Sequence, residues 1–176
     1  MNNQEAIPEF GIKRENEERR DGGFAIVFYP ATQKYAVAIQ DDGRMRLFSG
    51  GVDEGESPEQ GTLREVTEEG GLHDFAYHEN IGQAFTHYHN WLRNVNRVAL
   101  ATCLLVILKS DDIIPVQLEE HEKFELTWTT AEELMNNFRT HNKDNNVDHW
   151  IYYLRKSVAR AIELGYDTTT NLKNLE

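Results

Sequence analysis

The chain has 176 residues, the common size of one domain, and its 39% hydrophobic and 27% charged residues exclude a disordered or collagen-like polymer. Lysine and arginine number 18 against 30 aspartates and glutamates, and the net charge of −12 excludes a general coat for nucleic acid. The single cysteine, Cys103, rules out an intrachain disulfide and suits a reducing, cytoplasmic setting, while no run approaches the ~18 apolar residues of a membrane span.

Residues 1–22 form a polar arm of mixed charge without a signal-peptide pattern, which is either disordered or tied down as an edge strand through Ile7, Phe10 and Ile12. A single domain is expected over residues 23–165. Aromatic, β-branched and small apolar residues predict a hairpin of residues 24–29 and 35–40 around Pro30. Asp41-Asp42-Gly43 marks a second turn, and residues 44–48 alternate, with Arg44 and Arg46 on one face and Met45 and Leu47 on the other. Residues 49–56 hold Gly50, Gly51 and Gly55 among acids and read as a loop suited to close approach of a ligand. A helix then starts at Ser57, an N-cap oxygen followed by Pro58 and by Gln60 three residues after the cap, and Gly70-Gly71 stops it.

Residues 76–89 predict one or two strands broken at Gly82, residues 91–96 an exposed turn, and residues 97–109 a long buried strand that takes Cys103 into the core. An acidic loop over 110–122 leads to a short strand, 124–129, and Thr130 opens a second capped helix that ends near Phe138. After a polar linker, Val147, Ile151, Leu154, Val158 and Ala161 recur at helical spacing as far as the stop at Gly165, and residues 166–176 read as a tail. The expected class is α/β (α+β), a mixed sheet with helices packed on it.

Chemistry concentrates between Asp53 and Glu69, where Asp53, Glu54, Glu56, Glu59, Glu65, Glu68 and Glu69 surround one base, Arg64. On a helix, Glu65, Glu68 and Glu69 fall at i, i+3 and i+4, so three like charges share one face within a turn. A charge run is ordinarily a solvated face. Hard divalent cations relieve such repulsion, because carboxylate oxygens suit Mg²⁺ or Mn²⁺, and Mg²⁺ bridges to phosphate oxygens.

The stretch 50–72 reads G-x5-E-x7-R-E-V-x-E-E-x-G-L, with Gly50, Glu56, Arg64, Glu65, Val66, Glu68, Glu69, Gly71 and Leu72 at its fixed positions. It resembles the box of the Nudix hydrolases (MutT-like) in full. That resemblance implies a Nudix-like α/β/α sandwich with a mixed β-sheet, and Mg²⁺- or Mn²⁺-dependent hydrolysis of a diphosphate linkage. It implies that Glu65, Glu68 and Glu69 are metal ligands, that Glu56 and Arg64 orient loop and helix, and that Ser49 offers a backbone carbonyl. Family members add a glutamate before a later tryptophan; upstream of Trp128 this is Glu122, with Glu119 and Glu120 as rivals. Either Glu65 or Glu122 is implied as the base that takes the proton of the attacking water. A glycine, Gly61, stands where the family commonly has alanine, away from every ligand position.

Recognition of the rest of the substrate must come from outside the box. Phe85, His87, Tyr88, His89, Trp91, Arg93, Asn94, Asn96 and Arg97 offer stacking faces and donors, and Arg44, Arg46 and Phe48 lead into the box with more. The implied substrates are nucleoside diphosphate derivatives (nucleoside sugars, ADP-ribose-like compounds, dinucleoside polyphosphates) or nucleoside triphosphates, with capped RNA a minor alternative because no long basic track exists. A non-catalytic nucleotide sensor of the same fold is the alternative function, opposed by the intact set of glutamates. A prenyl-diphosphate isomerase is opposed by the buried setting of Cys103. No membrane partner is expected, and the long last helix packs within a monomer or pairs two subunits.

Overall fold

A computed structural model describes residues 6–176. The first five residues of the expected arm lie outside the described residues. Among those described, nine strands make one mixed sheet with three α-helices. Its centre is β3 (Gly22–Tyr29), parallel to β8 (Val95–Leu108), with Gly22 opposite Ala101 and Phe28 opposite Ile107. Both strands are near-continuous apolar runs because both faces of the sheet are covered. Phe24, Ile26 and Phe28 join Cys103, Leu105 and Ile107 under α2 (Ala131–Thr140) and α3 (Asp148–Glu163). The alternate residues Ala25, Val27, Leu104 and Val106 pack with Val66 and Leu72 on the opposite side, which carries α1 (Pro58–Gly70). Cys103 is fully buried as expected, and burial pushes its thiol up to about 12.

The hairpin of β3 and β4 (Lys34–Gln40) splays open, and this fork places the site. The C-terminal half of β3 pairs with β4, whereas its N-terminal half pairs with β6 (Phe48–Gly51). Meanwhile β4 pairs with β5 (Met45–Arg46) and, on its other edge, with β9 (Phe124–Thr129). The expected strand 44–48 is therefore two short strands, and Ser49, Gly50 and Gly51, expected as loop, are strand. The reason is contact: a Cβ on Gly22 would stand 2.6 Å from the Gly50 carbonyl oxygen, so only glycine lets these backbones pair.

β7 (Phe75–Asn90) is one strand, antiparallel to β8, with a register shift between Asn80 and Gly82. Gly82, at φ 151°, lacks the Cβ that would stand 2.9 Å from the Tyr153 hydroxyl, and that hydroxyl donates to the Gln83 carbonyl at 2.7 Å. The arm adds β1 (Glu9–Gly11) parallel to β7 and β2 (Glu18–Arg19) parallel to β8. The stretch read as a tail folds back, with Asp167 and Leu175 buried. No helix among the described residues is long and apolar enough to cross a membrane.

Candidate active site

Helix α1 (Pro58–Gly70) is set by its ends. The Ser57 hydroxyl accepts from the Gln60 N–H at 3.1 Å, and the Gln60 side chain accepts from the Ser57 N–H at 2.8 Å. At the other end Gly71, with φ 72°, closes the helix by donating to the Thr67 carbonyl. The helix lies beneath β6 and β3, so its glutamates point at the strand that carries the box glycines.

Arg64 gathers the carboxylates. Its guanidinium donates to Glu56 at 2.8 and 3.2 Å, to Glu65 at 2.8 Å, to Glu68 at 3.0 Å and to the Gly51 carbonyl at 3.0 Å. These bonds, the one to Glu56 foremost, raise its pKa further. Glu56 also accepts from the Asp53 N–H at 2.7 Å, and Arg64 with this bond holds its carboxyl below the usual carboxylate range. The expected Glu56–Arg64 pair thus ties loop to helix. A Cβ on Gly50 would overlap the Glu65 carboxylate, so that carboxylate lies directly against the strand backbone.

Glu69 is the buried member. Its side chain is 1% exposed, accepts from the Ser49 N–H at 2.9 Å and faces Arg46 at 3.6 Å. Burial pushes its carboxyl up to about 8 against the pull of Arg46, and burial likewise raises Glu65. One Glu69 oxygen, Oε1, is buried without a hydrogen-bond partner among the described residues. An all-oxygen set, an orphaned carboxylate oxygen and mutually repelling acids fit a hard divalent cation.

The loop before β9 closes the chamber. Glu119 and Glu122 line it, the Glu119 N–H donates to Glu122 at 2.9 Å, and Glu119, His121 and Glu122 bring ligand atoms within 4.8 Å of one another. The Glu122 charge is felt at both Glu65 and Glu69. Glu120, a rival in sequence, does not line the chamber. This chamber has a volume of about 360 Å³ and is walled by six carboxylates and two guanidiniums, those of Arg64 and Arg20.

It opens into a larger pocket of about 710 Å³ that shares Arg20, Ser49, Gly50, Gly51 and Glu119 with it. Of the residues expected at the substrate, Tyr88, His89, Arg93, Arg97 and His87 line this pocket. His87 has both ring nitrogens taken, by Glu17 at 2.8 Å and Glu9 at 2.6 Å, so it anchors the arm. The others lie elsewhere. Phe48 is fully buried against Gly70, and Arg46 stacks on Phe124 at 4.7 Å while facing Glu69. Arg44 holds Asp42 at 2.7 Å in its own turn, Phe85 lies under Arg19, and Trp91, 80% exposed, sets its edge against His89. Residues absent from the expectation also line the pocket: Arg20 from the arm, His149 and Trp150 from the start of α3, and Asn146 before it. For Arg20 the available signal was a charge abutting the Gly22-Gly23 pair at the head of a core strand; for α3 there was none, since its approach is a long-range contact.

Residues 19–151 match the NUDIX domain family, and the chain belongs to it. No curated protein matches the chain. Among solved structures, a NUDIX hydrolase from Nitrosomonas europaea is similar at 16% identity, covering 85% of this chain and 91% of that one, with a TM-score of 0.53. The NUDIX domain of Shewanella oneidensis NrtR, solved with ADP ribose, gives 16% identity, coverage of 82% and 89%, and a TM-score of 0.59. The Bacillus subtilis pyrophosphohydrolase BsRppH gives 16% identity, coverage of 88% and 89%, and a TM-score of 0.56. At these identities the likeness is one of fold.

Proposed function

We propose that the chain is a hydrolase of phosphoric anhydrides that cleaves the diphosphate linkage of a nucleoside diphosphate derivative (a nucleoside sugar, an ADP-ribose-like compound or a dinucleoside polyphosphate) or of a nucleoside triphosphate. The observation that carries this reading is the undiminished carboxylate face of α1, bound to Arg64 and opening into a pocket large enough for the remainder of such a substrate. Glu65, Glu68 and Glu69, with the Ser49 carbonyl and Glu122, would hold Mg²⁺ or Mn²⁺, which when bound neutralises phosphate charge and acidifies water. Arg64 and Glu56 keep the loop and helix in register, so that the carboxylates are presented without rearrangement. The proton of the attacking water goes to Glu65 or Glu122, both of which line the chamber.

The test is release of nucleotide or phosphate from a panel of these compounds with Mg²⁺ and with Mn²⁺, for the wild type and Glu68→Gln together. Turnover that requires the cation and falls at least ~100-fold in the variant is the expected result. Binding of nucleotide without turnover of any compound would replace the hydrolase by a sensor.

A further inference from the structure

The chamber faces a charge problem that its own arginine cannot solve. Arg64 is saturated by Glu56, Glu65, Glu68 and the Gly51 carbonyl, and Arg46, over Phe124 and 3.6 Å from Glu69, lines neither cavity. A diphosphate running from the chamber into the larger pocket leaves the carboxylate-bound end and crosses the seam formed by Ser49, Gly50 and Gly51. Arg20 stands at that seam and lines both cavities.

Its geometry there is specific. A Cβ on Gly51 would lie 2.7 Å from Arg20 Nη2, 3.0 Å from Nε and 3.1 Å from Cζ, so the guanidinium rests on the Gly51 backbone and glycine is what admits it. Arg64 donates to the carbonyl of that same Gly51. The two guanidiniums thus bracket one residue, one with its donors consumed and the other, among the described residues, with them free: the Arg20 side chain is 54% exposed and its charge partner is Asp53 at 3.9 Å, beyond hydrogen-bond distance. The Arg20 backbone is fixed, because its N–H donates to the Val98 carbonyl at 2.9 Å beside β2. Across the pocket, Tyr88 feels the charges of Arg97 and Arg20, so the arginine also borders the aromatic wall.

We infer that Arg20, carried by the N-terminal arm, binds the phosphate group of the substrate that straddles the two cavities, and so sets affinity for the diphosphate apart from the cleavage step. A planar fork of donors matches phosphate oxygens, and a partly exposed one is available without breaking a buried pair. The inference rests on the proposed hydrolase reading.

The experiment compares wild type, Arg20→Ala, Arg20→Lys and Glu68→Gln on the best substrate of the panel, and measures ADP binding by calorimetry in EDTA. Wild-type turnover lost in Glu68→Gln decides the hydrolase reading by itself. Given that, Arg20→Ala is expected to raise KM about tenfold or more with kcat within threefold, to weaken ADP binding in EDTA by a like factor, and to leave the melting temperature unchanged, while Arg20→Lys recovers part of the loss. Unchanged KM and unchanged ADP binding in Arg20→Ala would overturn the inference and leave the hydrolase standing. A fall in kcat and melting temperature together, without a rise in KM, would also overturn it by making Arg20 structural.

Discussion

The Tyr35 hydroxyl donates to the Asp167 carboxylate at 2.6 Å, with both residues about 1% exposed. This bond joins the middle of the sheet to the segment after α3, which the Thr169 and Thr170 N–H groups complete by donating to the other Asp167 oxygen. Tyr35→Phe removes one donor and leaves a buried carboxylate short of a partner. The expected cost is about 1–3 kcal/mol in urea unfolding, with the activity of the folded fraction intact. A loss below ~0.5 kcal/mol would show that water replaces the hydroxyl.

Acid sensitivity follows from His149. Its ring meets Phe24 edge-on at 5.3 Å and lies in the first turn of α3, where the helix dipole opposes a positive charge. Burial pushes its imidazole from 6.5 down to about 3. The folded value lies below the unfolded one, so the unfolded chain takes the proton first as pH falls. The contribution is intact above pH 6.5 and is lost progressively between 6.5 and 3, at up to ~1.4 kcal/mol per pH unit and less to the extent that water reaches the ring through the pocket. Urea unfolding at pH 7.5 and 5.5 should show this loss in the wild type, and His149→Phe should flatten it. An equal slope in the variant would place the acid sensitivity elsewhere.

Arg64→Lys tests the hub. Lysine keeps the charge but presents no planar fork, so it cannot hold Glu56, Glu65, Glu68 and the Gly51 carbonyl together. We expect kcat to fall about 10- to 100-fold, as for loss of a group that orients the proposed metal ligands, in a variant whose circular dichroism is that of the wild type. Activity within threefold would mean that charge at this position suffices.

His87→Phe tests the arm. The ring joins Glu9 of β1 to Glu17, just before β2, and is itself 4% exposed. Phenylalanine fills the space and abandons both carboxylates. Hydrogen exchange should speed up over residues 9–19 and not over β3 or β8, and KM should rise because Arg20 follows directly on that segment. Unchanged protection of residues 9–19 would show that their strand pairing alone secures the arm.

Much of this fold was readable because its signals are local. Ser57, Pro58, Gln60 and Gly71 bound α1 without help from other residues, and the apolar runs of β3 and β8 announce burial on both faces. Glu65, Glu68 and Glu69 share a face by helical geometry alone, and the chamber holds them together as that spacing implies. The pocket was harder. Alternation placed Arg44 and Arg46 on one face, yet the break between β5 and β6 turns Arg46 inward to Glu69 while Arg44 stays in its turn. Phe48 and Phe85 look like stacking platforms in sequence, but in space Phe48 is a packing residue and half-buried Phe85 carries the Arg19 guanidinium, and no local pattern separates these roles. Arg20, His149 and Trp150 reach the pocket from its two distant ends of the chain, through sheet pairing and helix docking that no nearby residue encodes.

The parallel pairing of β3 with β8 has a consequence for the order in which the protein is made. Gly22 and Gly23, which carry β6 and with it the glycines facing the glutamates, find their neighbours Ala101 and Thr102 only after most of the intervening chain exists. On the ribosome, α1 can cap and coil early and β6, the strand its carboxylates face, is already made, but β3, on which β6 is paired, lacks its other neighbour until β8 has emerged. Nascent chains ending before residue 95 should therefore hold the whole box motif without the sheet that seats the proposed cation site, and the centre closes by the slow, long-range step typical of such pairings.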